Sequence, residues 1–589
     1  MKWININHNN VEYTLQQAIY SNSNGLLMPQ YIPTISKEFI DNIHNINTHD
    51  ICFKILNLYF GKEIPDADLK DMIKKTINFD CHLQNVNGNH ILELFHGPTL
   101  SFKDYGARIM SEIFLYFYKE NTRVIVATSG DTGAAVANAF GHTKIPVTIF
   151  FPNDQITEFQ EKQICTNNTN ISCIKLLNDF DSCQQIVKKM LSDDSIKETN
   201  FITANSINIC RLIPQICYYF ISYKYLQKNL KKDQKIVYTI PSGNLGNATA
   251  CLMAKKMGLP IDNVIIACNS NDTIPNFFKT GEYISQKSIR TLSNAMDIGN
   301  PSNFDRIYYM YNQNIDNMRK DISAISVKDH TIEYIIKFVN DSYNYILDPH
   351  TAVGYHASNK LSTSDNNNVI LATASPYKFT EIINRVLNKN IEIPNHISYI
   401  LRKKSFSLYM KNNYEIIQKL FNKKVVILIG MPGSGKSCVS KFLNKKFKWK
   451  NIELDALIEK KYNMRLCEII EQFGNKKFLE IEEEVCCNIQ LKEENCKYIV
   501  STGGSVVYNH KIMKYLTELG VIAYLQVSYI DLSKRINNFE ERGIIFKQGE
   551  TLYNLFEQRI PLYEKYSEMI IDNSLLTMNE TVNVLGNLM

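Results

Sequence analysis

A chain of 589 residues is too long for one hydrophobic core, and its length predicts roughly three or four compact units. Hydrophobic residues at 44% and charged residues at 21% are ordinary for globular protein, and a net charge of +6 demands neither a nucleic-acid nor a membrane partner. The 14 cysteines are scattered with no CxxC pair, which predicts reduced thiols in a cytoplasmic protein and excludes a disulfide or zinc framework. The start, Met1-Lys2-Trp3-Ile4-Asn5, lacks the apolar core of a signal peptide, and no stretch approaches the roughly 18 apolar residues of a membrane span.

From about residue 85 to 380, short β-branched runs alternate with helical patterns. The runs at 124–127, 147–151, 236–240, 264–267 and 369–372 predict buried parallel strands. Each is followed by Gly, Asn or Asp and then a helix, the rhythm of a doubly wound α/β sheet with its chemistry at the strands' carboxyl ends. Residues 400–422 predict helix and no strand. At Val425–Ile429 a second βα series opens and runs to the end, the size of one small α/β kinase domain. The expected division is 1–420, with an N-terminal segment of about 1–85 and a catalytic region of about 86–420, followed by 421–589.

Three segments carry chemistry in the first part. Glu93-Leu94-Phe95-His96-Gly97-Pro98-Thr99-Leu100-Ser101-Phe102-Lys103 sets a lysine after a Gly-Pro turn, where it opens a helix. Thr128-Ser129-Gly130-Asp131-Thr132-Gly133 follows the strand at 124–127, and its small residues let a helix N-terminus present bare N–H groups to an anion. Pro241-Ser242-Gly243-Asn244-Leu245-Gly246-Asn247 follows the strand at 236–240, and its glycines allow a concave nest of amides for a phosphate. Either glycine loop alone is as well explained by a tight turn.

Together with Phe201-Ile202-Thr203-Ala204-Asn205-Ser206, Arg211, Leu292-Ser293-Asn294-Ala295-Met296-Asp297 and Asp348-Pro349-His350-Thr351, these segments resemble the threonine synthases. Those are pyridoxal-phosphate (PLP) enzymes of fold type II, like tryptophan synthase β. The resemblance implies that Lys103 carries PLP covalently and then moves protons, and that Ser242, Gly243, Asn244, Leu245, Gly246 and Asn247 hold the cofactor phosphate. Thr373 would be the hydroxyl partner of the pyridine nitrogen. Thr128, Ser129, Asp131 and Thr132 fall where the family binds substrate, with Asn205, Ser206 and Arg211 as further contacts. The implied reaction turns O-phosphohomoserine and water into threonine and phosphate, and release of 2-oxobutyrate by a phospholyase is the alternative. Leu245 and Asn247 replace an aromatic and an acid of the family pattern, and Ser375 a histidine.

In the second part, Gly430-Met431-Pro432-Gly433-Ser434-Gly435-Lys436-Ser437 fits the phosphate-binding loop G-x-x-x-x-G-K-[ST] between a strand and a helix. That context predicts ATP binding by Gly433, Ser434, Gly435, Lys436, Ser437 and Cys438, with Ser437 on Mg²⁺. The rest resembles shikimate kinase, a P-loop α/β fold like the nucleoside-monophosphate kinases. The resemblance implies Glu453 on the metal side, Asp455 at the acceptor hydroxyl, Gly503 and Gly504 in a glycine triplet whose third member is Ser505, and Arg559 on the acceptor carboxylate. Arg535 and Arg542 fall at lid spacing, Arg542 over the ATP phosphates. Leu479 stands where the family has a second carboxylate-binding arginine, a loss of about 1.5–3 kcal/mol if nothing replaces it. Three readings follow in order: shikimate phosphorylation, phosphorylation of another hydroxy acid such as homoserine, and an ATP-binding regulatory module. The expected partners are small molecules, and the chain is expected to be a monomer or homodimer.

Overall fold

The computed structural model describes residues 1–7, 11–21, 25–166, 170–177, 179–196, 198–228, 230, 234–363, 365–493, 496–535, 551–574 and 576–589. Two compact units emerge: Met1–Ile171 with Cys183–Ser192 and Asn200–Ser405, and Ser172–Ser182 with Asp193–Thr199 and Phe406–Met589. No helix among the described residues is long and apolar enough to cross a membrane.

The β-branched runs form strands close to their expected bounds: Thr122–Ala127, Val147–Pro152, Ile236–Pro241, Asn263–Cys268 and Asn367–Ala372. Nearly every residue of these strands is buried, so their continuous apolar character, without alternation, reflects cover on both faces. They do not share one doubly wound sheet. A six-stranded sheet runs in the order Ile322–Ser326, Asn263–Cys268, Ile236–Pro241, Asn367–Ala372, Asn89–Glu93, His82–Val86, parallel except for its last pair. Thr122–Ala127 pairs elsewhere, in parallel with Val147–Pro152 on one side and Asn200–Thr203 on the other. Two sheets place two sets of strand ends, and hence two loop systems, around one region of the first unit.

The second unit orders its strands Lys450–Glu453, Tyr498–Ser501, Val425–Ile429, Val521–Gln526, Met569–Asp572, all parallel. Leu408–Met410 adds an antiparallel strand beside Met569–Asp572. The sequence promised helix alone between 400 and 422. Three residues are too few for an alternating pattern to declare itself, and here pairing with a distant strand decides the conformation.

Candidate active sites

Lys103 opens the helix Lys103–Tyr116 at the end of a tightly tied turn. Asp104 is fully buried and accepts from the Thr99 amide at 2.9 Å and the Thr99 hydroxyl at 2.6 Å. Gly97 lies so close that a Cβ there would come within 2.4 Å of the Asp104 carboxylate. The Phe102 amide donates to Thr373 O at 3.0 Å, and the Ser375 amide to Leu100 O at 3.0 Å. These bonds lash the lysine turn to the end of Asn367–Ala372, which brings Thr373 beside Lys103 through the backbone.

Asp131 is the electrostatic centre of this region. Its side chain is 2% exposed and meets Lys378 Nζ at 2.8 Å, Gln160 Nε2 at 2.9 Å and Lys103 Nζ at 3.4 Å. Burial opposes its ionisation, but Lys378, Lys103 and His350 together hold the carboxyl far below the usual carboxylate range. Burial pushes the Lys103 ammonium down. Asp131 raises it, while Lys378 and Arg211 lower it again. A lysine so placed yields its proton more readily than one on the surface, which suits a nucleophile and a proton carrier. Lys378 and Gln160 were missed by the sequence reading. The one local signal was a lysine held between Tyr377 and Phe379 directly after a buried strand.

The 242–247 loop joins Ile236–Pro241 to the helix Gly246–Lys256. A Cβ on Gly243 would sit 2.7 Å from Met296 Cα and 2.9 Å from its carbonyl oxygen, so only glycine fits. Leu245 takes the left-handed conformation, with φ of 61°. Asn244 is fixed by Ser206 Oγ at 2.8 Å and by the Ser302 amide, which donates to its Oδ1. Asn247 Oδ1 accepts from both Tyr218 and Tyr219, while its Nδ2 is buried without a partner. A glycine-only turn, helix amides with no intrahelical acceptor and an orphaned donor fit a phosphate group.

The remaining expected residues divide by what they already bond. Thr128 Oγ1 accepts from the Gly130 and Gly133 amides at 3.0 and 2.8 Å, bracing the turn at 128–133. Asn205 exchanges two hydrogen bonds with the Ala127 backbone, 2.7 and 3.1 Å long. Arg211 is buried and donates to Ala204 O at 2.7 Å, with Nε lacking a partner. Ser129 and Thr132 are half-buried.

In the second unit the phosphate loop leaves Val425–Ile429 and enters the helix Lys436–Phe447, with Gly430, Gly433 and Gly435 at φ of 148°, 80° and 101°. Lys436 Nζ donates to Gly430 O at 2.8 Å and Met431 O at 3.0 Å, closing the loop around the ammonium. Burial lowers Lys436 to about 8 against the upward pull of Asp455. Asn573, another residue missed in the sequence, donates to Ser434 O at 2.7 Å and so clamps the loop.

The loop borders a cavity of about 670 Å³ that gathers Gly433, Lys436, Ser437, Cys438, Asp455, Gly503, Gly504 and Arg559. Arg559 is 1% exposed, with Nε donating to Tyr508 Oη at 3.1 Å. Gly504 leaves little room for a side chain, because a Cβ would lie 2.8 Å from Arg559 Nη1 and 2.9 Å from Pro432 Cδ. Arg465 and Glu482, which the sequence reading passed over, also line the cavity; Leu479 is not among its lining residues. Arg535 lines it too and donates to Asn573 O at 3.1 Å. Arg542 lies outside the described residues. Among the described residues, no group of three or more His, Cys, Asp or Glu is placed to hold a metal ion.

Four family profiles match the chain. They are described as threonine synthase N terminus over residues 7–77, pyridoxal-phosphate dependent enzyme over 91–374, threonine synthase C-terminal over 351–420, and shikimate kinase over 432–588. The threonine synthase of Escherichia coli K12 is 35% identical over 405 residues, covering 68% of this chain and 94% of its own. The crystal structure of the Escherichia coli enzyme superposes with a TM-score of 0.67 at 34% identity, covering 71% of this chain and 99% of that one. The PLP-bound threonine synthase of Brucella melitensis superposes with a TM-score of 0.66 at 28% identity, covering 72% and 98%. With a lysine poised on a buried carboxylate, a glycine nest shaped for phosphate and this similarity along nearly the whole length of its relatives, the chain belongs to the threonine synthase family.

Proposed function

We propose that the first unit converts O-phosphohomoserine and water to threonine and phosphate, and that the second is an ATP-dependent phosphotransferase acting on a small hydroxylated acid. In this reading the functional boundary lies near residue 421, which the end of the threonine synthase match at 420 and the start of the kinase match at 432 support. Reduced, mostly buried cysteines suit a cytoplasmic setting.

The Lys103–Asp131–Lys378 arrangement carries the first reading. PLP bound at Lys103, with its phosphate on residues 242–247 and its ring nitrogen near Thr373, would supply an electron sink for proton loss at Cα and Cβ. The chain's own groups do the rest. Lys103 Nζ, with its pKa lowered, accepts and returns protons at these carbons. Asp131 fixes the lysine between turns. Ser129 and Thr132, half-buried beside the N-terminus of the helix Asp131–Phe140, offer donors to an anionic leaving group before it departs. Product analysis separates the two outcomes: threonine with equimolar phosphate supports this reading, and 2-oxobutyrate in its place supports the phospholyase.

For the second unit, the observation that carries the reading is the closed phosphate loop opening onto the same cavity as Asp455 and Arg559. The Ser437 hydroxyl, on that cavity, suits Mg²⁺, which would neutralise phosphate charge. Asp455 orients the acceptor hydroxyl and takes its proton, Arg559 holds the acceptor carboxylate, and Lys436 steadies the transferred group. ADP formation by the full chain, with shikimate and homoserine offered separately, tests this reading. ATP binding without ADP release for either acceptor would leave a regulatory module instead.

A further inference from the structure

The acceptor end of the kinase cavity holds a carboxylate where a guanidinium is lacking. Glu482 follows Phe478 by one helical turn on Leu466–Cys487, and both face the cavity. Its side chain is fully buried and is in no ion pair among the described residues. Its hydrogen bonds come from one hydroxyl: Ser505 Oγ reaches Oε1 at 2.9 Å and Oε2 at 3.0 Å. A single proton cannot satisfy both oxygens, so the carboxylate faces the cavity short of donors.

Gly503 separates the two acidic groups. A Cβ there would lie 2.7 Å from Glu482 Oε1 and 3.2 Å from Asp455 Oδ1, so the carboxylates flank one small space no more than about 6 Å across. Arg559 borders the next residue, Gly504. Among the described residues every cation lining this cavity has a partner: Lys436 the loop carbonyls, Arg465 Glu468 at 2.8 Å, Arg535 Asn573 O, and Arg559 the Tyr508 hydroxyl through its Nε. Among the described residues, one guanidinium and two carboxylates meet at the Gly503–Gly504 end of the cavity, and they complement a zwitterion bearing a hydroxyl. They do not complement a simple hydroxy acid, which would leave Glu482 buried beside it without a counter-charge.

Resting on the kinase reading above, we propose that the acceptor is a short α-amino acid with a side-chain hydroxyl, its ammonium on Glu482, its carboxylate on Arg559 and its hydroxyl on Asp455. Burial pushes Glu482 up to about 7; Ser505 pulls it down, Asp455 pushes it up, and Arg559 is the smallest downward influence. A bound ammonium supplies the charge that the site lacks. In the transfer, the acceptor oxygen bonds to the γ-phosphorus while the bond from that phosphorus to the β-γ bridging oxygen breaks. ADP leaves with that electron pair, and the hydroxyl proton passes to Asp455 and then to solvent. Homoserine has the required groups, its amine and hydroxyl separated by three carbons. Its phosphate ester is what the first unit is proposed to consume, so one chain would make and use the same ester.

The test compares homoserine with 4-hydroxybutyrate, which keeps the hydroxyl and carboxylate and lacks only the amine, and with shikimate. ADP release by the full chain is followed, and nucleotide binding is measured alongside. Homoserine should exceed 4-hydroxybutyrate in kcat/KM by about ten- to a hundred-fold, the span of one charge-assisted hydrogen bond. Glu482→Gln, which keeps shape and the Ser505 contact, should collapse that ratio chiefly through the KM of homoserine. Leu479→Arg, three residues before Glu482 on the same helix, should lower the ratio by offering Glu482 an internal cation. A ratio near one in the wild type, a ratio unchanged in Glu482→Gln, or a preference for shikimate would overturn the proposal while leaving the kinase reading intact. ADP from none of the three acceptors, with nucleotide still bound, would overturn both.

Discussion

Replacing Lys378 with methionine removes one of the two ammonium groups that hold Asp131. The pair is 2.8 Å apart, with side chains 0% and 2% exposed, so solvent screens it little. For charge centres about 4 Å apart and an effective dielectric of about 20, Coulomb's law gives about 4 kcal/mol. The carboxylate stays desolvated after its partner is gone, and breaking such buried pairs destabilises by about 3–5 kcal/mol. Lys103 then faces Asp131 without its like-charged neighbour, and its pKa rises. Urea unfolding of the full chain, followed by circular dichroism and by release of the cofactor's absorbance, measures the first effect. The pH dependence of Schiff-base formation between the cofactor-free protein and added PLP measures the second. A cycle with Asp131→Asn should return a coupling of about 2 kcal/mol or more. A Lys378→Met protein within about 0.5 kcal/mol of wild type, or an additive cycle, would refute the reasoning.

Gly243→Ala forces a Cβ to within 2.7 Å of the Met296 backbone and should weaken PLP retention about ten- to a hundred-fold, read by equilibrium dialysis. Lys436→Met should abolish nucleotide binding and ADP release while threonine formation persists, because the two chemistries lie in separate units. Gly504→Ala pushes against Arg559 at 2.8 Å and should raise the acceptor KM about tenfold, with nucleotide affinity little changed. Burial lifts Asp297 from 3.8 to about 7, against hydrogen bonds from Thr291 and Asn269. The folded state therefore keeps a proton that the unfolded chain loses, and stability falls as pH rises from about 4 to 7. Asp297→Asn should flatten that decline, gaining about 2–4 kcal/mol on wild type between pH 4 and pH 8 by urea denaturation.

Local signals were legible in the sequence, and long-range partners were not. The phosphate loop is a contiguous motif with fixed glycine positions, and Val425–Ile429 needed no tertiary information to read as a buried strand. The strands around Val124, Val147, Ile236, Val264 and Val369 were found within two residues, because β-branched runs bounded by turn formers define their own ends. Their division between two sheets was hidden, since pairing depends on partners far along the chain. Leu408–Met410 exists only through its neighbour and so escaped. The same holds at the sites. Lys103 and Asp131 announced themselves through their turns, whereas Lys378 gains meaning only from a carboxylate on a distant helix. Position 479, where the resemblance expects an arginine, lies one residue away from the cavity-lining face. Phe478 and Glu482, four residues apart on one helix, mark that face.

The most direct measurement is Lys103→Ala in the full chain, assayed for PLP absorbance and for threonine formed from O-phosphohomoserine. The visible absorbance of lysine-bound PLP and threonine formation should both be lost, while ATP binding by the second unit is retained. Unchanged absorbance and turnover in Lys103→Ala would contradict the proposed role of Lys103.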